Sequence, residues 1–199
     1  MRILVVGAAG AVGRAAAGEL SRRHQIVSAG RSAGDVTVDL MSEDSVRAMY
    51  AKLGKLDAVV SCAGHVHFGP VSAMAPAQFR KGLDDKLMGQ INLVLLGLPH
   101  VNDGGSFTLT SGVLDRDPVR QGANAAAVNG AIGAFVRAAA LEMPRGIRIN
   151  AVSPGLLEES AAKYDGFFPG HEPVSSARVG LGYAKSVDGA LTGQVFAIG

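Results

Sequence analysis

Gly7, Gly10 and Gly13 stand three residues apart in "GAAGAVG", directly after the apolar run "RILVV" and at the opening of a helical pattern. Glycines at this spacing permit a tight turn, close approach of backbone to a pyrophosphate and close packing of helix on sheet, while the N-terminus of the helix that follows favours negative charge. Glycine triplets also mark ordinary turns. The position between a first strand and a first helix is what makes Gly7, Ala9, Gly10, Ala11, Val12 and Gly13 a candidate dinucleotide-binding turn. A second signal is "AGRSAG", at the tip of the next strand. A chain selecting NAD usually places an acid there for the ribose 2′-hydroxyl; Arg31 can instead pair with a 2′-phosphate, and Ser32 can donate a hydrogen bond to it. The competing reading is an arginine solvated in a turn. The cofactor expected from these residues is NADP(H).

Other polar residues carry less. His65 and His67 follow the fourth strand and could share a face of an extended segment, but two histidines without a nearby third ligand read as loop polar groups, and no metal is expected. Cys62 ends a buried run and reads as packed rather than reactive. The smooth stretch from Gly122 to Glu142 holds no ionisable side chain before Arg137 and offers only the amides Asn124 and Asn129 to chemistry.

The elements that must position these residues alternate along the chain. "RILVV" is a strand, a helix runs from about Ala11 to Arg23, "QIVSA" is the second strand and "VTVDL" a short third. "SEDSVRAMYAKL" is a helix with Ser42 as its N-cap, and "DAVVSCAG" is the fourth strand. Beyond "FGPVSAMAP" a long helical region ends near "GLPHV"; "GSFTLTS" is the fifth strand, the smooth stretch the next helix, and "RINAVSPG" the sixth strand. A loop rich in Gly, Pro and Ser leads to a last strand, "GQVFAIG". Buried runs such as "ILVV" separated by helices mark a parallel sheet covered on both faces. The expected fold is α/β: a single-domain Rossmann fold over residues 1–199 with a doubly wound parallel sheet.

Composition narrows the class. At 199 residues and 48% hydrophobic, the chain can bury one sizeable core. The +2 formal charge is scattered, with no basic block, so nucleic acid is not an expected partner. The apolar start breaks at Gly7, and "INLVLLGL" is far shorter than the ~20 residues that span a bilayer, so no membrane segment is expected. One cysteine suits a reducing cytoplasm.

In this order the motifs resemble the short-chain dehydrogenase/reductase family over nearly the whole chain. "VDL", with Asp39 and Leu40, is similar to the family's adenine-binding turn; "CAG", Cys62, Ala63 and Gly64, stands where the family usually has Asn-Ala-Gly beside the cofactor. "GSFTLTS" matches the fifth strand, whose last serine, Ser111, the resemblance makes catalytic. Pro154 and Gly155 of "RINAVSPG" would flank the nicotinamide, and "TGQVFAIG" matches the closing strand.

The resemblance also implies a tyrosine and a lysine four residues apart on the helix after the fifth strand, on one face, the ammonium lowering the tyrosine pKa. Registered on Gly133 and Phe135, those positions hold Asn124 and Val128; shifted by one they hold Ala125 and Asn129. The family's asparagine on the preceding helix falls on Lys86, in "LDDKLMGQ". Lys86 could supply the missing charge and polarise a carbonyl, or be a surface lysine beside Asp84 and Asp85. Tyr164 and His171 lie in the stretch from Leu156 to Arg178, which in the family closes over substrate. The expected activity is NADP(H)-dependent oxidation or reduction of a small alcohol or carbonyl using Ser111 and Lys86. The alternative is a non-catalytic NADP(H)-binding protein of the same fold. The helices flanking the fifth strand are expected to build a homodimer or homotetramer.

Overall fold

β1 (Arg2–Val6) is buried at every position after Arg2. A strand with no solvated face must lie inside a sheet, and β1 pairs in parallel with β2 (Gln25–Gly30) on one side and β4 (Leu56–Ser61) on the other. With β3 (Val36–Thr37), β5 (Val101–Thr110), β6 (Arg148–Pro154) and β7 (Val195–Ile198) they form one seven-stranded sheet of order β3-β2-β1-β4-β5-β6-β7, parallel throughout. The computed structural model describes residues 1–199.

Helices cover both faces. On one, α1 (Ala11–Leu20) and α7 (Ser176–Asp188) enclose Ile3, Val5, Leu20, Val60, Val179 and Tyr183. On the other, α2 (Glu43–Leu53), α4 (Gly89–Gly97) and α5 (Ala123–Ala139) cover a larger core that includes Leu4, Val59, Phe107, Val128 and Ile132. The doubly wound α/β fold expected from the alternation of elements is the one observed. Ser42 caps α2 as expected, its Oγ accepting from the Ser45 amide at 3.3 Å.

Besides shifts of a few residues at the ends of α1, β4 and β5, three elements differ from the sequence reading. The third strand is only Val36–Thr37, because the following Asp39 and Leu40 turn into α2. The long helical region before β5 is composite: α3 (Pro76–Gly82), a π-helical turn over Leu83–Met88, then α4. The stretch before β7 is not all loop. It contains short α6 (Glu158–Ala161) and then α7, whose Val179, Tyr183 and Val187 lie at helical spacing on the buried side. Ser175 caps α7, its Oγ accepting from the Arg178 amide at 3.3 Å. The signal was present in "SSARVGLGYAKSV", obscured by its small residues. No helix is long and apolar enough to cross a membrane.

α7 also ties to the sheet through polar atoms, since Tyr183 Oη and Thr110 Oγ1 share a buried hydrogen bond. Ser175→Ala should therefore lower stability by about 1 kcal/mol in urea unfolding, the usual cost of a lost N-cap, while Ser175→Asp should retain most of it.

Candidate active site

The strand order reverses between β1 and β4, and in an open α/β sheet ligands bind beyond the strand ends at such a point. Gly7 leaves β1 there with φ +82°, its amide bonded to Ala29 O at 2.8 Å. A Cβ at Gly7 would stand 2.9 Å from the backbone of Cys62 and Ala63, and one at Gly13 would collide with the Gly7 carbonyl. These two absences let α1 start directly against the turn. Gly10 precedes α1 without a side-chain cap, and the first turn carries no acid. The leading amides of α1 are thus left for an external acceptor, the condition in which a helix N-terminus takes a phosphate.

Two adjoining cavities run from this turn and share Gly10, Cys62, Ala63 and Gly64. The larger, about 690 Å³, extends along Gly7 and Ala9 to Arg31, Ser32 and Leu40. The smaller, about 370 Å³, extends past Ala11 and Val12 to Lys86, Ser111, Pro154 and Gly155. All but two of the residues expected at the cofactor line one or both. Gly13 is spent on helix packing. Asp39 stands outside, its carboxylate accepting from the Met41 amide at 3.1 Å, while its neighbours Val38 and Leu40 line the wall.

The tip of β2 is shaped by Asp35. Its carboxylate accepts from the Ser28 amide at 2.8 Å and Ser28 Oγ at 2.7 Å, and these bonds hold its pKa below the ordinary value. The acid of this loop is thereby held by the backbone beneath it, and Arg31 and Ser32 are presented at the cavity edge. Arg31 is exposed and lies 3.8 Å from Asp39 and 3.9 Å from Asp85, loose contacts that leave its guanidinium able to take another anion. His65 Nδ1 is 2.9 Å from Asp85 Oδ2, the His67 backbone amide donates to Asn124 Oδ1 at 2.8 Å, and both histidines border a neighbouring cavity beside Arg31. No group of three or more His, Cys, Asp or Glu is placed to hold a metal.

The floor of the smaller cavity is built by three elements. Lys86, on the π turn, donates from Nζ to Ser111 O at 2.8 Å and to Asn129 Oδ1 at 2.7 Å. It is therefore not a surface lysine, although Asp84 and Asp85 adjoin it. Burial pulls its pKa down to about 8, against which the nearby Asp115 carboxylate pushes upward. Ser111 Oγ lies 2.8 Å from Asp115 Oδ2 and 3.0 Å from Asn129 O, so its single proton can serve one acceptor at a time. Asp115 is steadied by Ser153 Oγ at 3.1 Å and by Arg116 at 3.2 Å.

On α5 the residues facing this cavity are Ala125 and Asn129. They are the pair given by the register shifted by one; of the pair anchored on Gly133 and Phe135, Val128 is in the core, and Asn124 is turned toward α3, donating to Phe79 O. Tyr164 and Phe168 close the outer side, whereas His171 lies outside this cavity, 3.5 Å from Asp117. Asp115 was not legible beforehand as a partner of Ser111, because it ends a short 3-10 turn over Val113–Asp115 with no motif around it. Cys62 lines both cavities from a packed position, and burial raises its thiol pKa to about 11.

A family model described as enoyl-(acyl carrier protein) reductase, of the short-chain dehydrogenase/reductase type, matches residues 3–186. The chain belongs to the short-chain dehydrogenase/reductase family. Among solved structures, the protein lin1944 from Listeria innocua is 49% identical and superposes with a TM-score of 0.98, covering 100% of both chains. A small-chain dehydrogenase in complex with NADPH is 27% identical, with a TM-score of 0.87 over 100% of this chain and 96% of its own. Among curated proteins, rabbit (Oryctolagus cuniculus) L-fucose dehydrogenase is 33% identical over 132 residues, 63% of this chain and 46% of that protein. The chain thus spans about half the length of the curated short-chain dehydrogenase/reductase relatives it matches.

The Lys86 environment has a measurable consequence. An unfolded lysine titrates near 10.4, so between about 8 and 10.4 the unfolded chain binds more protons and folding stability should rise with pH as the buried ammonium loses its charge. The gain in unfolding free energy from pH 7.5 to 10, by urea titration, should be larger in the unmodified protein than in Lys86→Met. Lysine NMR should show one ammonium titrating about two units below the rest.

Proposed function

We propose that this chain is an NADP(H)-dependent oxidoreductase acting on a small carbonyl or alcohol, with Lys86 as its proton-transferring group. The observation that carries this reading is the placement of the Lys86 ammonium across Ser111 and Asn129, in the floor of a cavity continuous with the glycine turn. Ala125 and Asn129 occupy the positions where the family pattern calls for tyrosine and lysine, and Lys86 the position where it calls for asparagine. Lysine and amide have in effect exchanged helices, leaving the charge near its usual place and removing the phenol. The relatives carry dehydrogenase names, which supports an oxidoreductase and lends nothing to a non-catalytic binding protein.

The uncapped start of α1 would hold the pyrophosphate, Arg31 and Ser32 the 2′-phosphate, Val38 and Leu40 the adenine, and Pro154 with Gly155 the nicotinamide side. NADPH bound there would supply hydride to the carbonyl carbon. The chain supplies the proton: two of the three Lys86 N–H groups are engaged by Ser111 O and Asn129 Oδ1, which leaves the third for a group bound in the cavity that Lys86 lines. The ammonium gives that proton to the substrate oxygen as charge develops there, and Ser111 Oγ turns from Asp115 to donate a second hydrogen bond to the same oxygen. An acid with a pKa lowered toward neutrality is better matched to this task than a solvated lysine. A reducing cytoplasm suits the chain's single cysteine. A homodimer or homotetramer would cover exposed Met88 and Leu95 of the helix preceding β5 and the small residues Ala127 and Ala134 of α5.

NADPH should bind more tightly than NADH by about 1.5 to 3 kcal/mol, the worth of a charge-assisted contact, and Arg31→Ala should erase most of the difference; equal affinities in the unmodified protein would sink the assignment. Carbonyl reduction should fall as pH rises through about 8, where Lys86 loses its proton. Lys86→Met should cost roughly 10²- to 10⁴-fold in kcat and remove that limb of the pH profile. Unchanged rates in both Lys86→Met and Ser111→Ala would mean that the acid lies elsewhere. Light scattering at micromolar concentration should give a dimer or tetramer mass, and a monomer mass would count against the helix pairing.

A further inference from the structure

The smaller cavity has a polar floor and an aromatic wall. Above Lys86 and Ser111 its side is formed by Phe68, from the segment after β4, and by Tyr164 and Phe168, from the segment after β6. The three rings make a continuous series: Phe68 and Tyr164 have centroids 6.3 Å apart, tilted at 48°, and Tyr164 meets Phe168 edge-on at 5.9 Å. Phe68 and Phe168 also pack on the buried cluster of Val113, Leu114 and Ala125. Ala125 lines the same cavity as Ser111 and Lys86 and contributes only a methyl group to it.

Apart from the third Lys86 N–H and the rotatable Ser111 hydroxyl, which serve the single carbonyl oxygen, the polar side chains of the floor are engaged with the protein. Asn129 uses Oδ1 for Lys86 and Nδ2 for Gly112 O, Thr110 Oγ1 is bonded to Tyr183 and Ser61, and Ser111 is bonded to Asp115. On the wall the polar side chains are Ser160, Lys163 and Tyr164, with Lys163 Nζ lying 5.4 Å from the Tyr164 ring centroid. A polyhydroxylated substrate would bring one donor and acceptor per carbon into this space, and each one left unpaired would lose its hydration without compensation. A flat ring with a single carbonyl loses nothing of that kind and gains ring-edge contacts. The volume, about 370 Å³, lies at the small end of the ~300–1,000 Å³ of ligand pockets and includes the nicotinamide side at Pro154 and Gly155, which limits the substrate to a small one of one or two rings.

We propose that the substrate of this chain is an aromatic ketone, its ring seated against Phe68, Tyr164 and Phe168 and its carbonyl directed to Lys86 and Ser111. The proposal rests on the oxidoreductase reading above. The reaction is balanced by NADPH, whose hydride adds to the carbonyl carbon while the C=O π bond opens and the oxygen takes one proton from Lys86, giving a secondary alcohol and NADP⁺. The bound ring supplies orientation; no other reductant is required.

Two measurements test it independently. In the first, 1-(2-naphthyl)ethanol is titrated with cofactor-free protein and followed by naphthyl fluorescence, which no tryptophan in this chain obscures. Saturable binding is expected, unaffected by a large excess of L-fucose and weakened about tenfold in Phe168→Ala and in Phe68→Ala. Phe168→Leu, which keeps bulk without the ring, guards against simple loss of the segment's packing, and thermal melts followed by circular dichroism check the fold of each variant. Binding that does not saturate, or that is indifferent to all three substitutions, overturns the proposal. In the second, NADPH oxidation is compared for 2-acetonaphthone and acetone, and NADP⁺ reduction for L-fucose. A higher kcat/KM for 2-acetonaphthone is expected. Preference for L-fucose or acetone overturns the aromatic assignment and leaves the oxidoreductase reading standing. If NADPH binds and no carbonyl consumes it, the oxidoreductase reading fails, and the naphthyl titration alone decides whether the wall receives an aromatic ligand.

Discussion

An ammonium taken out of water and held by two oxygen atoms is the constraint around which the smaller cavity is organised. A desolvated charge is costly unless it is hydrogen-bonded, and Lys86 meets that condition through Ser111 O and Asn129 Oδ1. The surrounding backbone is shaped to permit it. A Cβ at Gly64 would stand 2.6 Å from Lys86 Cα, and one at Gly112 would stand 2.9 Å from Asn129 Nδ2. The ends of β4 and β5 therefore have to be glycine-containing for the π turn and α5 to close on each other. Asp115 completes the balance, supporting the positive charge while accepting the Ser111 proton.

The other half of the groove follows a different logic. Around the glycine turn the chain offers backbone amides and open space in place of side chains, and Arg31 and Ser32 stand at the cavity edge at the β2 tip. Asp35, which could have blocked an anion there, is drawn back by Ser28. In the cofactor half the site is thus defined by what has been removed or tied down. In the chemistry half it is defined by one charge and its supports. The two meet at Gly10, Cys62, Ala63 and Gly64, which line both cavities.

Much of this was legible beforehand because it depends on local spacing. β1, the glycine turn and Ser42 are read from consecutive residues, and the structure has them as read, with β2 one residue longer than its run. α7 was passed over because Gly180, Gly182 and two serines dilute its apolar face, although Gly180 is what lets it approach α1: a Cβ there would stand 2.8 Å from Ala15 O. Its helical character comes from packing, which propensity alone underrates.

The sequence by itself determined the doubly wound sheet and the glycine turn after β1, since apolar periodicity and glycine placement act over a few residues and leave few alternatives; the strand order, and with it the switch point, came from the pairing of the strands. Only the tertiary structure decided which way Lys86 and α5 face. The π turn over Leu83–Met88 takes up an extra residue, and one residue is ~100° of helical rotation, enough to carry a side chain from a surface to a cavity floor. The same sensitivity made Asn124 and Val128 the wrong pair and Ala125 and Asn129 the facing one. The pairing of lysine with amide joins residues 43 positions apart. No local pattern encodes such a contact; it exists only once β4, β5 and α5 have packed.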